Sequence, residues 1–215
     1  MEPSKLRDDD SESVRIDPQC VSIVIPVRNG GAAFSRLLES LRTLRTPSGF
    51  TTEVIVAYQA SSDDTLLRAR SAGATIVCCE GHGPAANRNA GAARARGQLL
   101  WFVDADARPV RPDMLDRALQ AARQLRVFGA FGGPVVLAPE QRWNPVAWGD
   151  HLACWYVWHE KRPAGVLEFQ PTVSLFTTQQ AFRAVGGFDE SMSVLEDYDF
   201  EHRLRTGRAL GGAMP

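Results

Sequence analysis

The chain has no apolar run approaching the roughly eighteen residues that a bilayer-crossing helix needs, and its N-terminus lacks the apolar core of a secretory signal. Both absences predict a cytoplasmic protein. Excess positive charge is missing as well: the formal net charge is −1 and the arginines are interspersed with acids, which excludes a broad basic footprint for nucleic acid. Cysteine is scarce. Cys20, Cys78, Cys79 and Cys154 have no zinc spacing, and two of them are adjacent, which predicts buried reduced thiols rather than a disulfide or metal framework. Apolar periodicity is absent from Met1 to about Pro18, a stretch rich in Asp, Ser, Glu, Arg and Pro, so residues 1–18 are expected to be a disordered tail. Residues 19–215 have the length and ordinary composition of one domain.

What is present is an alternation of short apolar runs and helical spacings. Val21 to Val27 is β-branched and nearly continuous in apolarity, as in a strand buried on both faces. Arg28-Asn29-Gly30-Gly31 breaks it, and Phe34, Leu37, Leu38, Leu41 and Leu44 follow at helical spacing up to Pro47-Ser48-Gly49. A second unit pairs the strand Val54–Ala57 with a helix containing Leu66, Leu67 and Ala69, where Ser61 and Asp64 fit a capping box. A third strand, Thr75–Cys79, leads to a helix with Pro84 in its first turn and an Ala-rich remainder up to Gly97. Strand and helix in alternation predict a parallel Rossmann-like sheet with right-handed crossovers. Beyond a helix through Met114 and Ala122 the pattern loosens. Strands are expected over Phe128–Leu137 and Phe169–Thr177, and a short helix through Ala181 and Val185. Pro139–Gly165, which holds Trp143, Trp148, Trp155 and Trp158, shows no clean period and reads as a variable loop. Those tryptophans either offer stacking faces to a ligand ring or pack over the core.

The most informative stretch is Gly97 to Pro109. Its apolar run Leu99–Val103 is too short for a helix, and it ends in Asp104-Ala105-Asp106. Two carboxylates therefore stand at a strand's carboxyl end, where open α/β sheets bind ligands. One residue apart on a strand, they face the same way, and two hard oxygen donors suit Mg2+ or Mn2+. The competing reading is that both acids merely begin a turn before Pro109.

In this order the pieces resemble the family 2 glycosyltransferases, which use nucleotide-diphosphate sugars. The residues that carry the likeness are Val21-Ser22-Ile23-Val24-Ile25-Pro26-Val27-Arg28-Asn29, Arg88-Asn89-x-Gly91, Phe102-Val103-Asp104-Ala105-Asp106, Gly186-Gly187-Phe188-Asp189-Glu190, and Glu196-Asp197-Tyr198-Asp199-Phe200 with Arg203-Leu204. The resemblance implies a GT-A fold: a Rossmann-like α/β/α sandwich with a mostly parallel central sheet. It also implies donor contacts from the first strand tip (Pro26, Val27, Asn29) and Arg88, from Asp104 to ribose or metal, and from Asp106 to a Mg2+ or Mn2+ on the diphosphate. Asp197 would be the catalytic base. The implied partners are a nucleotide-sugar donor and a sugar, lipid-linked or protein acceptor, the lipid-linked case bringing peripheral membrane association.

Elementary chemistry asks for the same groups. A leaving diphosphate needs its charge held, which a cation does as a Lewis acid, and the acceptor hydroxyl needs a carboxylate on the opposite side of the anomeric carbon, the inverting geometry. Glu196 and Asp197 are the candidates, and as helix neighbours they diverge by about 100°. Ser193-x-x-Glu196 fits a capping box that would make Glu196 structural, while Asp197 is either the base or a first-turn acid favoured by the helix dipole. Asp199 and Glu201 read as a solvated face paired with Arg203 and Arg205.

Two departures from the family pattern stand out. Tyr58-Gln59 replaces the Asp-Asp that many relatives carry after the second strand, so Gln59 would accept the nucleobase N–H. The C-terminal end is also short, and His82, His151, His159 and His202 do not occupy the later position from which relatives ligate metal. A degenerate domain that binds a sugar nucleotide or partner without turnover is therefore the alternative. A sugar nucleotidyltransferase ranks behind both, because no Gly-rich Leu-x-x-Gly-x-Gly-Thr-Arg loop follows the first strand.

Overall fold

The computed structural model describes residues 17–210 except 82, 125–128 and 164. The expected tail lies outside them as far as residue 16, and β1 (Asp17–Val27) already begins at Asp17. The other strands are β2 (Thr51–Tyr58), β3 (Thr75–Cys78), β4 (Gly97–Val103), β5 (Ala130–Gly132) and β6 (Ser174–Thr178). The helices are α1 (Gly31–Arg42), α2 (Thr65–Ser71), α3 (Pro84–Arg94), α4 (Met114–Gln124), α5 (Pro145–Cys154), α6 (Gln179–Ala184) and α7 (Glu196–Thr206). They build one six-stranded sheet in the order β3-β2-β1-β4-β6-β5. β1, β2, β3 and β4 run parallel, and β6 is antiparallel to both β4 and β5.

Period-two alternation divides the core into two layers of side chains. Val21, Ile23, Ile25 and Val27 of β1 and Leu99, Trp101 and Val103 of β4 point to one face, where they meet Phe34 and Leu37 of α1, Ala69 of α2 and Leu115 and Leu119 of α4. Val24 of β1 and Leu100 and Phe102 of β4 point to the other, against Ala85 and Ala92 of α3, Phe182 of α6 and Phe200 of α7. The result is the expected α/β/α sandwich. No helix among the described residues is long and apolar enough to cross a membrane.

The sheet order reverses between β1 and β4, since β1 leads outward through β2 to β3 while β4 leads the other way. Such a switch point opens a crevice beyond the carboxyl ends of the two strands. Helix α3 crosses behind it at close range, because an added Cβ on Gly91 would stand 2.5 Å from Val24 Cγ1.

The later elements depart from the sequence reading, each for a local reason. Pro139–Gly165 is not a plain loop. It contains α5, whose start is fixed by Pro145 in the first turn and by Asn144, whose Oδ1 accepts the Val146 and Ala147 amides at 3.0 and 3.3 Å. No α5 residue is buried, so the helix writes no apolar stripe into the sequence. Instead of spanning Phe128–Leu137, β5 keeps three residues; Phe128 lies outside the described residues, and Pro134 has no N–H for a ladder. Strand β6 starts at Ser174, five residues late, because the chain before it donates its amides to α7 instead. α1 ends at Arg42, before Pro47. The thiols were expected to be buried; Cys20 is, Cys79 is half-buried, and Cys78 and Cys154 are exposed.

Replacing Gly91 by Ala should destabilise the fold by about 1–2 kcal/mol, overpacking against Val24 outweighing the helix-propensity gain. Urea denaturation checks this, and Val24→Ala in the same chain should recover most of the loss.

Candidate functional site

Parity along β4 sets the site. Leu100, Phe102 and then Asp104 lie on the α3/α7 side of the sheet, so the first acid emerges toward α3. There Arg88, only 4% exposed, donates from Nη2 to Asp104 Oδ1 at 2.8 Å and from Nη1 to Glu196 Oε1 at 2.6 Å. Its guanidinium also lies 5.8 Å from the centre of the Phe188 ring. The tip of β4 and the first turn of α7 are thereby joined through one cation. Arg88 faces inward, behind Asp104, rather than open to the crevice.

The neighbouring residues of α3 complete the arrangement. Asn89 Oδ1 accepts the Phe188 N–H at 2.9 Å, and its Nδ2 donates to the Phe188 carbonyl at 2.8 Å and to Glu190 Oε1 at 2.9 Å. Gly187 has φ +72°, and a Cβ there would stand 2.7 Å from Asn89 Oδ1, so the turn needs glycine twice over. Sequence reasoning gave Asn89 no role, although the Arg-Asn-x-Gly pattern was the signal for it.

Asp104 and Asp106 both lie past the end of β4, where the Ala107 N–H closes on the Asp104 carbonyl at 3.0 Å. The strand rule that would point them the same way therefore stops at Asp104, and both acids do begin a turn. Asp104 is 33% exposed, and Asp106 is exposed with no hydrogen bond or ion pair among the described residues. Its carboxylate and the second oxygen of Asp104 are hard donors open to solvent. No group of three or more His, Cys, Asp or Glu side chains that could hold a metal occurs among the described residues. Two carboxylates nevertheless fit Mg2+ or Mn2+ of the kind completed by substrate phosphates and water.

The other wall of the crevice is made by the loops after β1 and β2. Gln59 N–H donates to the Val27 carbonyl at 3.0 Å. Asn29 sits at φ 51°, its N–H on Ser61 Oγ at 2.9 Å and its Oδ1 accepting the Ser62 N–H at 2.8 Å. Ser61 is thus a loop fastener and not a helix cap. Asp63 takes the helix-entry bonds, accepting from the Thr65 hydroxyl and amide and from the Gly31 N–H; these bonds hold its carboxyl below the ordinary range. Pro26 is half-buried, Val27 buried and Gln59 half-buried, with the Gln59 amide 3.4 Å from the Gly81 carbonyl.

On α7 the two acids part company, as the 100° divergence requires. Ser193 does not cap the helix: Leu195 occupies that position at φ 63° without a side-chain bond, and Glu196 is buried on Arg88. Asp197 is half-buried, its Oδ2 accepting from the Thr172 amide at 3.2 Å and hydroxyl at 3.3 Å, its Oδ1 from the Tyr198 amide at 2.9 Å. Asp199 pairs with Arg203 as expected. Glu201 does not belong to a solvated face: both its oxygens accept the Gln170 amide, at 2.9 and 3.1 Å. Burial pushes its carboxyl up to about 8, the Gln170 bond opposing, the charge of Asp197 adding and Arg205 opposing again. Of the tryptophans, Trp158 packs edge-on against Phe169 and donates to its carbonyl at 3.1 Å, and Trp155 packs edge-on against Trp158. Trp143, in contrast, is 84% exposed. A shallow groove of about 370 Å3 between α3, α6 and Gly186-Gly187 contains none of the predicted site residues.

The sequence model described as "Glycosyl transferase family 2" matches residues 22–183. The pre-mycofactocin glycosyltransferase of Mycobacterium tuberculosis is 31% identical over 192 residues, 86% of this chain and 38% of that protein. The chain thus spans well under half the length of this curated relative. Among solved structures, a mannosyltransferase of Pyrobaculum calidifontis in complex with GDP-Man and Mn2+ superposes with a TM-score of 0.62 at 19% identity, over 96% of this chain and 57% of that one. Glucosyl-3-phosphoglycerate synthase of M. tuberculosis in complex with UDP gives 0.57 at 16% identity, over 92% and 73%. The shared fold is GT-A.

Arg88→Met leaves Glu196 as a buried unpaired charge and should destabilise the protein by about 3 kcal/mol in urea denaturation, with Glu196→Gln in the same chain recovering part of it. A second expectation concerns pH. An unfolded Glu201 titrates near 4.5, so between there and about 8 the folded protein holds a proton that the unfolded chain releases, and stability falls as pH rises. Melting temperature measured from about pH 5 to about pH 8.5 should show this decline, flattened in Glu201→Gln.

Proposed function

The chain belongs to glycosyl transferase family 2, and from that premise we propose that it moves a sugar from a nucleotide-diphosphate donor to an acceptor hydroxyl with inversion at the anomeric carbon. The observation that carries this reading is the bridge through Arg88, which ties the carboxylates at the switch point to the first turn of α7. Among the described residues Asp106 has no hydrogen-bond or ion-pair partner, and Asp197 meets only N–H and O–H donors.

In this reading the loops after β1 and β2 hold the nucleotide, with Pro26, Val27 and Asn29 on one side and Gln59 offering its carbonyl to a base N–H. Arg88 serves the donor by fixing Asp104. Asp104 and Asp106 would hold Mg2+ or Mn2+, which supplies Lewis-acid stabilisation of the charge growing on the leaving diphosphate. Asp197 accepts the proton of the acceptor hydroxyl as its oxygen attacks the anomeric carbon from the face opposite the diphosphate. The carbon–oxygen bond to the diphosphate breaks, and the nucleoside diphosphate leaves. Glu196 is an unsuitable base, because its oxygen is taken by Arg88 and its side chain is 8% exposed. A lipid-linked acceptor met at a membrane surface is supported by the exposed Trp143, Val146, Leu152 and Tyr156 around α5. A sugar or protein acceptor would use the same base.

Turnover of UDP- and GDP-sugars with Mn2+, water or sugar acceptors being supplied, tests the assignment. Asp197→Asn should lower kcat by about 100-fold or more while still binding the nucleotide. Asp106→Asn should weaken Mn2+-dependent donor binding. Donor binding by the native chain with no turnover across the panel would instead favour the binding-only alternative.

A further inference from the structure

The segment before β6 runs alongside α7 and gives its polar groups to two carboxylates there. Gln170 N–H meets Glu201, Thr172 N–H and hydroxyl meet Asp197, and Pro171 between them has no N–H to place. This strap runs antiparallel to α7: Gln170 meets Glu201, and Thr172, two residues on, meets Asp197 one helical turn earlier. Gln170, Pro171 and Thr172 are all buried, Thr172 to 3% exposure, so the strap is part of the packed body and not a loose loop. The same segment begins at Phe169, which packs edge-on against Trp158 on one side and Tyr198 on the other.

Resting on the reading of Asp197 as base, we propose that Thr172 is the positioning residue that aims its carboxylate. Both Thr172 donors converge on Oδ2 while the Tyr198 amide holds Oδ1, so the plane of the carboxylate is fixed from two sides. Oδ1, with one bond, keeps lone-pair capacity for an incoming hydroxyl, while both donors on Oδ2 are occupied in holding it. The charged and titratable groups around it are Glu201 one turn on, Arg205 one turn further and Glu196 adjacent, the last engaged by Arg88. Burial keeps Glu201 protonated near neutral pH, so no second full charge stands beside Asp197 to turn it away. Thr172 never touches a reacting atom; it acts through Asp197.

The test uses Thr172→Val, which keeps the shape and the amide but removes the hydroxyl, and Thr172→Ser, which restores the hydroxyl. Each is crystallised, and each is assayed for Mn2+-dependent turnover of UDP-glucose and GDP-mannose beside Asp197→Asn. Thr172→Val should lower kcat about 10- to 100-fold with donor KM unchanged and should show the Asp197 carboxylate rotated, while Thr172→Ser stays within about threefold of native. Thr172→Val with native kcat, or with the Asp197 carboxylate unmoved, overturns the inference while a dead Asp197→Asn leaves the base assignment standing. An active Asp197→Asn overturns the base assignment and this inference with it.

Discussion

A single buried guanidinium decides how the crevice is built. Arg88 is out of water, and an unpaired charge there would cost several kcal/mol, so its two carboxylate partners are a condition of burial. Those partners come from opposite directions in the chain, Asp104 from the end of β4 and Glu196 from the start of α7. The sheet ladder does not fix that distance, because Asp104 lies one residue past β4 and Glu196 is the first residue of α7. The ion pair does. It adds little to net stability, since the desolvation of three charged groups offsets most of the Coulomb gain. Its contribution is registry: helix α7 can enter at one height and one rotation only, with Glu196 turned inward. Asp197 is then turned about 100° away, toward Thr172.

The Arg-Asn-x-Gly segment shows how closely such a registry depends on backbone approach. Gly91 lets α3 lie against Val24, and that closeness brings Arg88 within reach of a β4 side chain only one residue past the strand. Asn89, one position along, grips both backbone groups of Phe188, whose ring lies under the Arg88 guanidinium. The turn gripped this way sits at Gly187, in a left-handed conformation that a side chain would both strain and block. Four residues of one helix thus connect the sheet, the glycine turn and α7.

Much of this was readable before any coordinates, and the boundary of what was readable is physical. Strands β1, β2 and β4 announced themselves because burial on both faces writes an apolar run, the half-buried edge strand β3 through its β-branched residues, and α1 because a half-buried helix writes a period. α5 wrote neither, having no buried face, and only Asn144-Pro145 marked its start. The Ser193 and Ser61 capping boxes were wrong because a short pattern cannot say whether its acid has a better partner. Glu196 had one in Arg88, 108 residues earlier in the chain, and Ser61 had one in Asn29. Glu201 looked like surface on the count of arginines nearby, yet it faces the strap amide of Gln170. Each error is a long-range contact overruling a local rule.

The division of labour between adjacent acids follows from the same contacts. A helix can present two consecutive carboxylates to one ligand only if it is distorted, and α7 is not asked to be. Glu196 is committed to a guanidinium whose removal would strand a charge, so a hydroxyl could reach it only by displacing Arg88 and releasing Asp104 as well. Asp197 can receive a proton without any ion pair being broken, because its partners are amides and a hydroxyl that tolerate either protonation state at modest cost. In the proposed reaction, a proton acceptor coupled to the scaffold would loosen the carboxylate proposed to hold the cation as the leaving group departs. Placing the proposed base one residue away from the bridge would let the proton move while Asp104 stays fixed.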